Sequence, residues 1–185
     1  MSRGTSKAAY AMTSASLPPV TLVLGGARSG KSRFAEQLLH REARQRVYLA
    51  TAEIYDEEMA ERVRLHKAQR GDGWRTMEAP LDIAGVMVRE TEQGDAILVD
   101  CLTLWLSNLM GAGRDIQAET AQLIAALPQL GGPVVFVANE VGLGIVPDNA
   151  LARAFRDHAG RLNQRLAAAA DQVFFIAAGL PLKLK

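Results

Sequence analysis

The chain has 185 residues, and its 21 Lys and Arg against 20 Asp and Glu leave a formal net charge of +1. That balance excludes a protein built to coat DNA, which needs a cationic excess to displace counterions, and five Phe, two Trp and three Tyr are too few for a base-stacking platform. A lone cysteine, Cys101, excludes an intrachain disulfide or a site of several thiolates, and no apolar run approaches the roughly 18 residues that span a bilayer.

The expectation is therefore a cytoplasmic protein with no nucleic-acid partner and no membrane insertion. Residues 1–19 are rich in Ser and Ala, lack the apolar core of a secretory signal and end at Pro18-Pro19. They read as a disordered tail ahead of a single domain over residues 20–185. The run 20–24 predicts a strand, and 31–44 a helix with Phe34, Leu38 and Leu39 on one face. A strand over 47–51 precedes a charged helix over 56–70, whose thin apolar stripe is Met59 and Val63. Residues 80–93 read as a helix, 96–100 as a strand and 115–127 as a helix. The turn Gly131-Gly132-Pro133 leads into a strand over 134–138. Residues 148–170 form the clearest helix, with Asp148 as N-cap and Leu151, Ala154, Phe155, Leu162 and Leu166 at helical spacing. A strand over 173–177 follows. These strands are aliphatic or β-branched without strict alternation, as expected of parallel strands covered on both faces. Strands alternating with helices imply crossover connections and an α/β layer fold.

The sharpest motif is Gly25-Gly26-Ala27-Arg28-Ser29-Gly30-Lys31-Ser32, which matches G-x-x-x-x-G-K-[ST] between a strand and a helix. Glycines let the backbone curl so that its N–H groups point at phosphate oxygens, and the helix N-terminus adds partial positive charge. Lys31 suits the β- and γ-phosphates, and the Ser32 hydroxyl suits Mg²⁺. Asp100, at the end of an apolar strand, stands where a second metal-linked acid belongs; a strand-terminal Asp capping the next turn is the other reading. A regulatory GTPase would read guanine with Asn-Lys-x-Asp, whereas this chain has Asn139-Glu140-Val141-Gly142. Group transfer to a small molecule is the better expectation.

His66 falls on the face of Met59 and Val63, followed by Lys67 and, one turn on, Arg70. An imidazole with a pKa near about 6.5 is a nucleophile at neutral pH, and an imidazole–phosphorus bond is labile enough for a two-step relay. A routine surface histidine remains the competing reading on chemistry alone. His40 reads as a cation near the end of the first helix, His158 as a packed, hydrogen-bonded residue, and Arg161 and Arg165 as a solvated face. Trp74 and Trp105 read as packing residues.

The strings GGARSGKSRFAEQLL, YLATAEIYDEEMAERVRLHKAQR with the following WRTME, VDCLTLWLSNLM and NEVGLGIVPDNALARAFRDHAGRLNQRLAAAAD resemble the bifunctional adenosylcobinamide kinase/adenosylcobinamide-phosphate guanylyltransferases of cobalamin biosynthesis. The resemblance implies a P-loop NTPase-type (RecA-like) fold, a mostly parallel sheet flanked by helices. It implies that ATP or GTP phosphorylates the aminopropanol hydroxyl of adenosylcobinamide. GTP then guanylylates a histidine, and adenosylcobinamide phosphate takes the GMP. The histidine position corresponds to His66. The implied nucleotide-binding positions are residues 25–32, Thr51, Ala52, Glu53, Lys67, Ala68, Gln69, Arg70, Glu78 and Asp100, with Ser32 and Asp100 on Mg²⁺. Glu53 and Glu78 are both open as acceptors for guanine or ribose. Leu65 stands where some relatives carry a second histidine, and some have Glu in place of Asp100. The resemblance also implies a homo-oligomer, a trimer. Retention of only one activity, or a nucleotide-dependent binding module, are the alternatives.

Overall fold

A computed structural model describes residues 17–40, 45–52, 57, 64 and 72–185. All five expected strands form, within a residue of their expected ends: β1 (Val20–Gly25), β2 (Arg46–Ala50), β4 (Ala96–Asp100), β5 (Val134–Asn139) and β6 (Gln172–Ala177). Two strands join them that lack an apolar run, β3 (Trp74–Glu78) and β7 (Leu180–Lys183). The seven lie in one sheet of order β3-β2-β4-β5-β1-β6-β7, all parallel except the antiparallel β6–β7 pair.

Among the described residues the helices with both ends defined are α1 (Lys31–Leu39), α2 (Ile83–Thr91), α3 (Leu102–Gly111), α4 (Ile116–Ala126) and α5 (Ala150–Ala169). Alternation along the strands sorts their side chains between two layers. Leu22, Leu24, Val99 and Phe136 join the core lined by α2, α3, α4 and α5, while Val23, Leu98, Val135 and Phe174 meet Ala35, Leu38 and Leu39 of α1. Phe34 completes the α1 face, its ring edge-on to Phe174 at 5.1 Å.

Several expectations need adjusting. The α5 N-cap is Asn149, whose side chain accepts from Ala152 N, rather than Asp148. Leu151 is 71% exposed rather than packed inward. Residues 102–111 form a helix with no clean polar face, because Leu102, Trp105, Leu106 and Leu109 are all buried. The chain is tied to the sheet before residue 20: Leu17 packs on the α1-side core, and the Pro19 carbonyl accepts from Val134 N at 2.8 Å. Residues 1–16 and nearly all of the helix expected over 56–70 lie outside the described residues. Among the described residues no helix is long and apolar enough to cross a membrane.

Candidate active site

The loop after β1 opens at the C-terminal edge of the sheet, where parallel α/β sheets place their ligands. A Cβ on Gly25 would lie 2.5 Å from Ser29 Oγ and 2.7 Å from the Ile176 carbonyl, so glycine is what lets the loop fold back on its strand. Ser29 N donates to the Gly26 carbonyl at 3.3 Å, and Lys31 Nζ donates to the same oxygen at 3.1 Å. Arg28 (φ 54°) and Gly30 (φ 94°) adopt left-handed conformations, which curl successive N–H groups into a concave nest. Gly30 caps α1 without a side-chain hydrogen bond, leaving the first-turn N–H groups open to an anion. Ser29 Oγ is buried with no partner among the described residues.

The far wall of the loop comes from the β6–β7 turn. Ala178 and Gly179 take φ of 51° and 79°, and Gly179 N donates to the Ser29 carbonyl at 2.8 Å. Nothing in the local pattern of LPLK announced this strand or its contact.

Asp100 ends β4, half-buried, and Tyr48 O–H donates to its Oδ2 at 3.1 Å. The Ser32 hydroxyl and this carboxylate are hard oxygen donors, a set that suits Mg²⁺ taking its other ligands from phosphate and water. Among the described residues no group of three or more His, Cys, Asp or Glu could hold a metal unaided.

Thr51, expected at the nucleotide, is turned inward and fully buried. Its Oγ1 accepts from Cys101 N and donates to the Cys101 carbonyl, both at 2.8 Å, and its own carbonyl accepts from Asn108 Nδ2 at 2.7 Å. It acts as a clamp between β2 and the end of β4. Burial, helped by neighbouring Asp100, pushes the Cys101 thiol from 9.0 up to about 11. Ala52 is half-buried and Glu78 is exposed. Glu78 ends the strand WRTME, and its strand is four places from β1, about 19 Å at the usual strand spacing. Glu53, His66, Lys67, Ala68, Gln69 and Arg70 lie outside the described residues.

β5 runs between β4 and β1, so its end falls between Asp100 and the phosphate loop. The Asn139 backbone N–H donates to Thr103 Oγ1 at 2.8 Å and its carbonyl accepts from Asn163 Nδ2 at 3.4 Å, while its Oδ1 is buried with no partner among the described residues. Glu140 N then donates to the Gly25 carbonyl at 3.1 Å. In the sequence, Asn139-Glu140 excludes a guanine motif and belongs to the string NEVGLGIVP that carries the family resemblance. Its value here comes from strand order.

His40 meets the Arg46 guanidinium through Nδ1. Its ring meets Trp74 edge-on with centroids 5.9 Å apart, and the Arg46 guanidinium lies over the Trp74 ring, 5.3 Å from its centroid. Trp105 is a core residue whose Nε1 donates to the Leu81 carbonyl at 2.8 Å. Half-buried His158 lines a hollow of about 300 Å³ with exposed Arg161 and Arg165, and no residue of the phosphate loop lines it. A larger, apolar cavity of about 780 Å³ lies between α3 and the start of α5, where Met110, Val141, Pro147 and Phe155 line it.

A family model described as cobinamide kinase / cobinamide phosphate guanyltransferase matches residues 21–184. The chain is 45% identical over 166 residues to the bifunctional adenosylcobalamin biosynthesis protein CobP of Pseudomonas aeruginosa, covering 89% of this chain and 96% of that one. It is 46% identical over 179 residues to the bifunctional adenosylcobalamin biosynthesis protein CobU of Salmonella typhimurium, covering 89% and 98%. Among solved structures, the flagellar accessory protein FlaH of Methanocaldococcus jannaschii aligns with a TM-score of 0.53 at 12% identity, over 91% of this chain and 80% of that one. An ATPase from a bacterial type III secretion system aligns at 0.52 and 12%, over 89% and 56%. At such identities these likenesses concern the fold, the RecA-like P-loop layer seen here.

Proposed function

Because the chain belongs to the cobinamide kinase / cobinamide phosphate guanyltransferase family, we propose that it runs both reactions of that family, using residues 25–32, Asp100 and His66. The protein is a bifunctional enzyme of cobalamin biosynthesis, a kinase and a guanylyltransferase. The observation that carries the site assignment is the phosphate loop itself. Left-handed Arg28 and Gly30, an open α1 N-terminus and Lys31 folded over the same turn converge on one cradle.

In the kinase step the aminopropanol hydroxyl of adenosylcobinamide attacks the γ-phosphorus of ATP or GTP. An O–P bond forms, the bond to the β,γ-bridging oxygen breaks, and a nucleoside diphosphate leaves. Backbone N–H groups of residues 25–32 orient the phosphates, and Lys31 exchanges the Gly26 carbonyl for a phosphate oxygen. Mg²⁺ held by Ser32 and Asp100 supplies charge neutralisation when bound.

In the second step the His66 imidazole attacks the α-phosphorus of GTP and pyrophosphate leaves. Adenosylcobinamide phosphate then takes the GMP through a phosphate oxygen, giving adenosylcobinamide-GDP and free imidazole. Lys67 and Arg70 offer charge to the phosphates beside it, with Ala68 and Gln69 between them. Glu53 and Glu78 are the acceptors for guanine N–H or ribose O–H groups. We assign the enzyme to the cytoplasm, where its nucleotides are, and to a homo-oligomer, a trimer, to be checked by light scattering.

GTP labelled at the α-phosphate should give an acid-labile, base-stable protein adduct that His66→Ala abolishes. A folded, GTP-competent wild type that never takes label overturns the relay, and unchanged labelling of His66→Ala moves it elsewhere. Turnover of adenosylcobinamide with ATP alone reads the kinase separately.

A further inference from the structure

A phosphoryl transfer to an alcohol leaves one proton to place, and the roles assigned above name no group for it. We propose that Glu140 is the general base of the kinase step. The assignment rests on the kinase reading of the phosphate loop and adds the group that faces the attacking hydroxyl.

Three observations converge on it. The first is strand order: Glu140 follows the last residue of β5, the strand between the Asp100 strand and the phosphate-loop strand, and its N–H is bonded to the Gly25 carbonyl at 3.1 Å. Of the carboxylates described at this edge, Glu78 stands four strands away, and Asp100 is engaged by Tyr48 O–H and suited to the metal. The second is anchoring. Thr103 and Asn163 fix the backbone of Asn139 from α3 and α5, and Gly142 N donates to Glu140 Oε1 at 2.5 Å. The carboxylate is thus held on one oxygen, while Oε2 has no partner among the described residues, as a base awaiting a substrate proton requires. The third is what lies next. Val141 and Pro147 line the apolar cavity of about 780 Å³, and Leu143 and Ile145, between them in the chain, are exposed. Glu140 therefore sits at the seam between a phosphate cradle on one side and apolar surface on the other. A large amphipathic substrate that presents a hydroxyl to a nucleotide must bring that hydroxyl to such a seam.

In the step itself, Oε2 takes the hydroxyl proton as the oxygen bonds to the γ-phosphorus. The electron pair of the broken phosphoanhydride bond leaves with the nucleoside diphosphate, and the carboxylic acid then returns its proton to water.

The test uses the full chain and measures two activities on each variant. Glu140→Gln is expected to lower kcat for adenosylcobinamide phosphorylation about 100-fold, the lower end of general-base contributions, with KM for ATP within about threefold. Its labelling by α-labelled GTP should stay at the wild-type rate, which also reports that the variant is folded. Glu140→Ala should lose kinase activity similarly and regain a measurable part with added formate, a small carboxylate able to occupy the vacated space. The assignment is overturned if kinase kcat of Glu140→Gln stays within threefold of wild type. It is equally overturned if kinase and labelling fall together and formate restores neither, since Glu140 then only props the loop. A wild type that takes label yet never phosphorylates adenosylcobinamide would instead sink the kinase reading, and with it the base.

Discussion

Replacing Thr51 by Val keeps the shape of the side chain and removes a hydroxyl that serves two backbone groups at once. In the wild type Oγ1 accepts from Cys101 N and donates to the Cys101 carbonyl, in a place where Thr51 has no exposed surface. Water therefore cannot take over without opening the β2–β4 junction. A buried polar group left unpaired costs about 1–3 kcal/mol, so two of them amount to about 4 kcal/mol. For a chain of this size each kcal/mol moves Tm by about 2–4 °C, giving an expected fall of about 8–16 °C. Thr51→Ser, which keeps the hydroxyl and loses one methyl group, should cost only about 1 kcal/mol. Urea unfolding of the three proteins side by side measures this, with equal m-values as the check that the unfolded states are comparable. A Thr51→Val midpoint no lower than that of Thr51→Ser would refute the reasoning, because the hydroxyl would then contribute nothing.

Three shorter predictions follow from other sites. Asn149→Ala should destabilise the fold by about 1 kcal/mol through loss of the α5 cap, while Asp148→Ala should leave the unfolding midpoint unchanged; a reversed order would restore Asp148 as the cap. Gly25→Ala drives a methyl group onto Ser29 Oγ and the Ile176 carbonyl, and should abolish nucleotide binding in calorimetry while the far-UV circular dichroism stays native. Because the Cys101 thiol is pushed up to about 11, the native state holds its proton where the unfolded chain has lost it. Its contribution is complete below pH 9 and disappears as pH rises through 11, worth up to about 3 kcal/mol; unfolding midpoints of wild type should fall more steeply over that window than those of Cys101→Ala.

Legibility in the sequence followed how local each cause is. The phosphate loop was readable because its glycines serve turns made by adjacent residues, and the five covered strands because burial on both faces leaves an unbroken apolar run. WRTME carries a half-exposed strand at one edge of the sheet, and LPLK a short, largely exposed strand with a proline at the other, so neither has the pattern that marks a buried strand. Residues 102–111 hide as a helix because so much of their surface is apolar and covered. Thr51 reads as a polar residue at a strand end, and only the fold reveals Cys101, 50 positions away, as its partner. Glu140 likewise acquires its neighbours from strand order, and no spacing within NEVGLG encodes the Gly25 carbonyl.

The position of β1 in the sheet bears on how the chain folds as it is made. The phosphate-loop strand precedes every other described strand in the chain, yet both of its neighbours, β5 and β6, come from residues 134–139 and 172–177. On the ribosome its hydrogen-bonding groups wait for more than a hundred residues before a lateral partner exists. The Val20 N–H bond to Asp171 cannot close until the chain has grown 151 positions further. A nascent chain stopped before β5 thus presents Val20, Leu22 and Val23 unpaired, a window in which holding by a chaperone would matter most.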